Sequence, residues 1–208
     1  VYLAKSYWFI RALFPDYFIW NMPRHEKIIY LTFDDGPHPV VTPFVLDLLK
    51  KYNAKATFFC IGNNVVNNRN IYEQVLAEGH NVGNHTLQHL NGWKTQTQLY
   101  LQDIDKAATI ISSNLFRPPY GKIKHKQAKL LHNYNVPFKI VMWDVLSRDF
   151  DTSLTAEDCY KTVIKHTQNG SIIVFHDSEK AFDRLQYCLP KVLAYFSKQG
   201  FVFEKLAL

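Results

Sequence analysis

The chain has 208 residues, of which 47% are hydrophobic, and a formal net charge of +6. A chain of that length buries a sizeable core without disulfides or a second subunit, so one domain and a monomer are expected. Lys and Arg are scattered, with no run of five; nucleic acid is therefore not an expected partner, and most of the charge reads as solvated surface.

In chain order, residues 7–20 are rich in aromatics but interrupted by Arg11, Pro15 and Asp16. The stretch is too short and too charged for a membrane span, and it lacks the apolar centre and cleavage site of a signal peptide. Residues 1–25 are expected to pack on or flank the domain, with a weak membrane-surface contact through 7–20 as the lesser alternative. The domain itself takes residues 26–208. Residues 27–33 read as a buried strand. A helix capped by Thr42, with Pro43 at its first position, should run to about Tyr52. A strand at 56–61 follows, then a helix over 70–77 that stops at Gly79.

A short strand near 81–83 comes next. After Thr95 the apolar stripe Tyr100, Ile104, Ala108 and Ile111 predicts a helix. Residues 125–134 read as a helix, 138–143 as a strand, 155–166 as a helix and 171–175 as a strand. A last helical stretch over 181–198 should bend or restart at Pro190, and 201–206 closes as a strand. Strand–helix alternation within one domain means an α/β protein with a mostly parallel sheet. About six or seven such units favour a barrel over an open sheet, and in barrels the chemistry sits just after the strands. The three cysteines, Cys60, Cys159 and Cys188, match no Cys-x-x-Cys motif and read as thiols.

The chemistry-bearing residues do follow the apolar runs. Asp34 and Asp35 end the first strand, before Gly36-Pro37. Asp-Gly-Pro is good turn chemistry but needs one Asp; two adjacent carboxylates at a buried strand end call for a compensating cation. His85 and His89 have i, i+4 spacing, which on one helical turn would aim both imidazoles at one point. With a carboxylate they make a His-His-carboxylate metal set with an open position. His176 ends another strand and is followed by Asp177. Arg117 opens a rigid Pro118-Pro119-Tyr120-Gly121 segment, which alone reads as a turn. Trp143-Asp144 and Arg148-Asp149-Phe150 follow a further strand and alone read as a solvated loop. His25, His80, His125, His132 and His166 lack such context and read as surface or core.

Thr32-Phe33-Asp34-Asp35-Gly36-Pro37, His85-Thr86-Leu87-Gln88-His89, Arg117-Pro118-Pro119-Tyr120, Asp149 and Val174-Phe175-His176 stand in the order of five motifs. They resemble those of the polysaccharide deacetylases, the NodB-homology enzymes of carbohydrate esterase family four. The resemblance runs from about residue 27 to the C-terminus. It implies a distorted (β/α) barrel of the seven-stranded type. It also implies one divalent ion on Asp35, His85 and His89: zinc first, with cobalt, nickel or manganese as substitutes.

In that family Asp34 corresponds to the general base, His176 to the general acid, Arg117 to the residue holding the base and Asp149 to the residue tuning the acid. The backbone N–H of Tyr120 would stabilise the oxyanion, and Pro119, Tyr120, Phe150 and Val174 would touch substrate. Phe150 stands where Trp is usual, and Val174 where Leu is common, which changes the groove wall and the acetyl pocket. The implied activity is removal of N-acetyl groups from N-acetylglucosamine-type sugars in a polysaccharide such as peptidoglycan or chitin. Rival readings are an O-acetyl esterase on a xylan-like polymer, a deacylase of a small or lipid-linked sugar, and an inactive carbohydrate-binding module. Cell-wall polymer as substrate would point to the cell envelope, yet no export signal is visible, so localisation stays open.

Overall fold

Residues 4–6 and 11–208 are described by the structure, a computed structural model. The strands are β1 (Phe18–Ile19), β2 (Ile28–Asp34), β3 (Ala56–Cys60), β4 (Asn81–Asn84), β5 (Leu115–Phe116), β6 (Lys139–Val141), β7 (Val145–Leu146), β8 (Ile172–His176) and β9 (Val202–Phe203). The helices are α1 (Val41–Lys51), α2 (Gly62–Asn67), α3 (Arg69–Ala77), α4 (Thr97–Ala108), α5 (His125–His132), α6 (Ala156–His166) and α7 (Phe182–Lys198).

The strands form one sheet in the order β1-β6-β5-β4-β3-β2-β8-β7, with β9 paired to β2. Every one of these pairings is parallel. Burial on both faces of the central strands explains their near-continuous apolar runs, such as the wholly buried ATFFC of β3.

Chain connectivity curls this sheet. Strands β6 and β7 lie towards opposite ends of the strand order, yet only residues 142–144 join them. So short a link spans no more than about 14 Å, so the two sides of the sheet must come round to face each other. Without β1 the path has the seven strands of the expected distorted barrel.

Described residues of the N-terminal segment lie along the seam. Phe18 and Ile19 pair with Ile140 and Val141, Lys5 bridges Val145, and Asn21 bridges Ser171. One apolar cluster joins β2, β3 and β8 to α1, α6 and α7. A second gathers Tyr100, Ile104, Phe116 and Ile140 with Leu131 of α5.

Several expectations need correcting. Thr42 lies inside α1 rather than capping it, and Val40 holds the cap position. The α2 helix, Gly62–Asn67, follows β3 where no element is expected before the helix at 70–77. Helix α7 runs through Pro190 as one 17-residue element. The short strands β1, β5 and β7 were not foreseen. The membrane-contact expectation falls partly on residues 7–10, which lie outside the described residues. No helix among the described residues is long and apolar enough to cross a membrane.

Because neighbouring strands are parallel, β2, β3, β4, β5 and β8 all end on one rim of the curled sheet. The register places Asp34 beside His176, Asn84 beside Phe116, and Cys60 beside Asn84. The residues that follow these ends therefore meet above the barrel.

Candidate metal centre and cleft

Arg117 organises the floor of the rim. It is fully buried, and its Nη1 donates to Asp34 Oδ1 at 2.7 Å and to Thr32 Oγ1 at 2.7 Å. Its Nε and Nη2 donate to the carbonyls of Val141 and Met142. The guanidinium sits 4.1 Å from the ring centroid of Phe59. A buried cation thus has a carboxylate, three neutral oxygens and an aromatic face, which is what makes it tolerable inside a protein. Asp34 faces the cleft with Oδ1 engaged from behind.

Asp35 has φ 80°, a left-handed conformation that a non-glycine residue adopts only under local constraint. Its Oδ1 lies 3.2 Å from His89 Nε2 and 3.7 Å from His85 Nε2. The two imidazole centroids are 5.0 Å apart. His85 Nδ1 meets the carbonyl of Arg117 at 2.7 Å; donating there leaves the Nε2 lone pair for the cleft. Burial pushes His85 down to about 4, against the pull of Asp34 and Asp35, so it is neutral at pH 7.

The histidine pair converges as expected, but not on a helix. Thr86 and His89 both have positive φ, 64° and 57°. Side-chain bonds wind this loop. Asn84 Oδ1 accepts from the Thr86 amide, Thr86 Oγ1 from the Leu90 amide, and Asp103 Oδ2 from the amides of Leu87 and Gln88. Such local bonds compete successfully with helical ones.

A cation fits this group. Asp35, His85 and His89 bring one ligand atom each to within 4.8 Å of one another, the one such group of three among the described residues. Asp35 Oδ1 is buried and makes no hydrogen bond; the His89 contact is short but poorly aligned. An orphaned carboxylate oxygen facing two imidazole nitrogens is well suited to a divalent ion.

Across the cleft, His176 Nδ1 meets Asp149 Oδ1 at 2.7 Å, and the His176 amide donates to Asp149 Oδ2 at 2.8 Å. Burial opposes charge on His176, but Asp149 outweighs it, and the imidazole is raised to about 9. Asp149 is itself fully buried, and Arg184 of α7 donates to its carbonyl.

The cleft encloses about 430 Å³ and is lined by Asp34, Asp35, His85, His89 and His176 together with Tyr120, Trp143, Leu146, Phe150 and Val174, among others. Tyr120 has φ 61°, and its ring lies 4.6 Å from that of His89. Gly121 is required beside it, because a Cβ there would lie 2.5 Å from the Trp143 ring. Pro119, just before Tyr120 in the chain, is buried and is not among the residues that line the cleft.

Sequence reasoning missed Asn64, Asp103, Asp177 and Arg184. Asn64 Nδ2 donates to the carbonyl of Asp35 at 2.7 Å. Asp103 carried a readable signal: it sits on the stripe of Tyr100, Ile104 and Ala107, where a buried charge needs partners.

The family model described as polysaccharide deacetylase matches residues 21–138. A peptidoglycan-N-acetylglucosamine deacetylase of Bacillus cereus is 36% identical over 192 residues, 90% of either chain. A chitooligosaccharide deacetylase of Azorhizobium caulinodans is 32% identical over 164 residues, 76% of this chain and 77% of that one. A crystal structure of a peptidoglycan N-acetylglucosamine deacetylase, in complex with 4-naphthalen-1-yl-N-oxidanyl-benzamide, superposes with a TM-score of 0.82 at 31% identity, covering 91% of this chain and 90% of that one. The chain belongs to the polysaccharide deacetylase family. It is accordingly a polysaccharide deacetylase, a hydrolase acting on carbon–nitrogen bonds other than peptide bonds, and the deacetylases of this family are metal-dependent.

Proposed function

We propose that this protein removes N-acetyl groups from N-acetylglucosamine-type sugars of a polysaccharide, peptidoglycan or a chitin-like chain, and releases acetate. The observation that carries the reading is that Asp34 and His176 line one cleft with the Asp35, His85 and His89 group, Asp34 held from beneath by buried Arg117 and His176 by buried Asp149. A zinc ion on those three ligands would polarise the acetyl carbonyl and bring the pKa of a water down to roughly 7; cobalt, nickel or manganese can fill such a site.

The chain's own residues do the proton work. Arg117 holds Asp34 Oδ1, so the rest of that carboxylate takes the proton from the attacking water as its oxygen bonds to the acetyl carbon. The backbone N–H of Tyr120 donates to the oxygen that gains charge. Asp149 occupies His176 Nδ1, which aims Nε2 at the scissile nitrogen. As the carbon–nitrogen bond breaks, His176 Nε2 gives its proton to the leaving amine. Phe150, Val174, Leu146 and Trp143 provide the apolar walls for the acetyl methyl and sugar ring.

A polymer is favoured over a small sugar by the loops beside Tyr120. Residues 91–97 and 122–127 clasp each other through Gly92 N to Lys122 O, Lys124 Nζ to Thr95 O and Gln127 Nε2 to Gly92 O. They present Trp93, 59% exposed, with its indole nitrogen bonded to the Ile123 carbonyl. A fixed aromatic ring four residues after His89, with Lys122 Nζ 5.4 Å from its centroid, suits a neighbouring pyranose ring.

The test is acetate release by the zinc-loaded protein from peptidoglycan, chitooligosaccharides, acetylated xylan and monomeric N-acetyl sugars. Acetate with new free amines is expected from the first two, abolished by a chelator and restored by zinc. Release from xylan alone would replace this reading with an O-acetyl esterase, and release from monomers alone would remove the polymer.

A further inference from the structure

Asp177 is a fully buried carboxyl group that the reaction above does not use. It follows His176 at the end of β8 and faces the turn that carries Asp34 and Asp35. Its Oδ1 accepts from the Gly36 amide at 3.0 Å, and its own amide donates to the Asp34 carbonyl at 3.1 Å. One residue therefore grips the chain immediately before and immediately after Asp35. Its Oδ2 accepts from Thr42 Oγ1 at 2.6 Å, and Thr42 Oγ1 in turn accepts from the His38 amide at 2.8 Å. The grip thus extends to residue 38 and to the first turn of α1.

We propose that Asp177 is a positioning residue that holds the 34–38 turn so that the Asp35 carboxylate reaches the two imidazoles. The proposal rests on Asp35 being a metal ligand. Three observations point to it. Asp35 is held at φ 80°, a backbone state that persists in a non-glycine residue only where the surroundings over-determine it. The braces at Asp34 O and Gly36 N come from Asp177, and the brace at Asp35 O comes from Asn64.

Gly36 also has no room for a side chain, since a Cβ would lie 2.0 Å from Asp177 Oδ2. The turn and the carboxyl group are therefore built against each other. Burial first, and then the charge of Asp35, push Asp177 up to about 8 against the opposing bond from Thr42. A group so placed acts by hydrogen-bond geometry, and an isosteric amide can accept from Gly36 and donate to Thr42 in its place.

The experiment is zinc affinity of the full chain by competition with a chromophoric chelator, without substrate, alongside thermal melting of the metal-free protein. Asp177→Ala should bind zinc about 10–100-fold more weakly, the usual penalty for losing a partner that orients a ligand. Asp177→Asn should stay close to wild type. Thr42→Val, which leaves the proposed ligands and proton donors untouched, should weaken zinc binding in the same direction and keeps the test alive if Asp177→Ala does not fold.

A merely structural role would lower the melting temperature and leave the zinc affinity of the folded fraction alone. Wild-type zinc affinity in a folded Asp177→Ala or Thr42→Val protein would overturn the proposal. Failure of the wild type itself to bind zinc would instead remove the metal reading, and this proposal with it. A wild type that binds zinc but releases no acetate would remove only the substrate reading.

Discussion

At the residue scale, the His176–Asp149 pair sets the alkaline side of the reaction. His176 works as an acid only while protonated, and with Asp149 at 2.7 Å it is raised to about 9. Turnover on an N-acetyl sugar should hold below that region and fall as pH rises through it. A divalent cation beside Asp35 would draw the limb somewhat lower, because like charges disfavour the imidazolium. Asp149→Asn removes the carboxylate charge, so His176 gives up its proton earlier, and the limb should move down by about 1–3 pH units. The measurement is the pH profile of kcat for both proteins, loaded with the same metal. An unmoved limb in a folded, metal-replete variant would take the tuning role from Asp149. Much of this site was legible because its signals are residue types at strand ends: two adjacent carboxylates at 34 and 35, and a histidine directly after an apolar run at 176. Asp177 and Arg184 left no comparable trace. A buried carboxyl beside a histidine and an arginine on an amphipathic helix look ordinary until the contact across the fold is known.

At the element scale, long periodic segments were readable and two-residue strands were not. Helix α4 announces itself by its stripe, whereas β5 and β7 have two residues each and no period to detect. The histidine loop was misread for a physical reason. Its i, i+4 spacing suits a helix, but Asn84, Thr86 and Asp103 supply the side-chain bonds that wind a different path to the same convergence. Residues 91–97 and 122–127, the latter running into α5, form one clasp that displays Trp93. If Trp93 is a platform for a second sugar, Trp93→Ala should raise KM for long chains about 3- to 10-fold, the scale of an aromatic contact, with kcat unchanged. Trp93→Tyr should restore most of the affinity. Steady-state kinetics on chitooligosaccharides of increasing length would check this. An equal rise in KM for the shortest and longest substrates would place the effect in the cleft itself rather than beside it.

At the scale of the whole molecule, the curled sheet depends on its seam, where Asp144 is the knot. Its carboxylate is fully buried and is held by Arg11, by Arg24 at 3.0 Å and by Ser171 Oγ at 2.7 Å. Burial opposes its charge, but the Ser171 bond and the two guanidinium groups prevail and keep it below the ordinary carboxylate value of 3.8. A carboxylate whose native pKa is depressed stabilises the fold above its unfolded pKa, and that contribution fades as pH falls towards the lower native value. Near neutral pH the full effect is present. Asp144→Asn keeps the shape but loses the charge that two arginines share; because both arginines are partly exposed, they can return to water. Loss of charge-assisted hydrogen bonds of this kind costs about 1.5–3 kcal/mol. In a chain of this length that lowers Tm by about 4–10 °C. Ser171 precedes β8 and His176 ends it, so the seam lies a five-residue strand, about 16 Å, from the acid. Zinc affinity and kcat of Asp144→Asn at 25 °C should therefore match wild type while thermal melting at pH 7 shows the loss, and the gap between the two melting curves should narrow below pH 4. A gap that does not change with pH would mean that packing, rather than the charge, secures the seam. A loss of zinc affinity at 25 °C would mean that the seam sets the geometry of the distant rim.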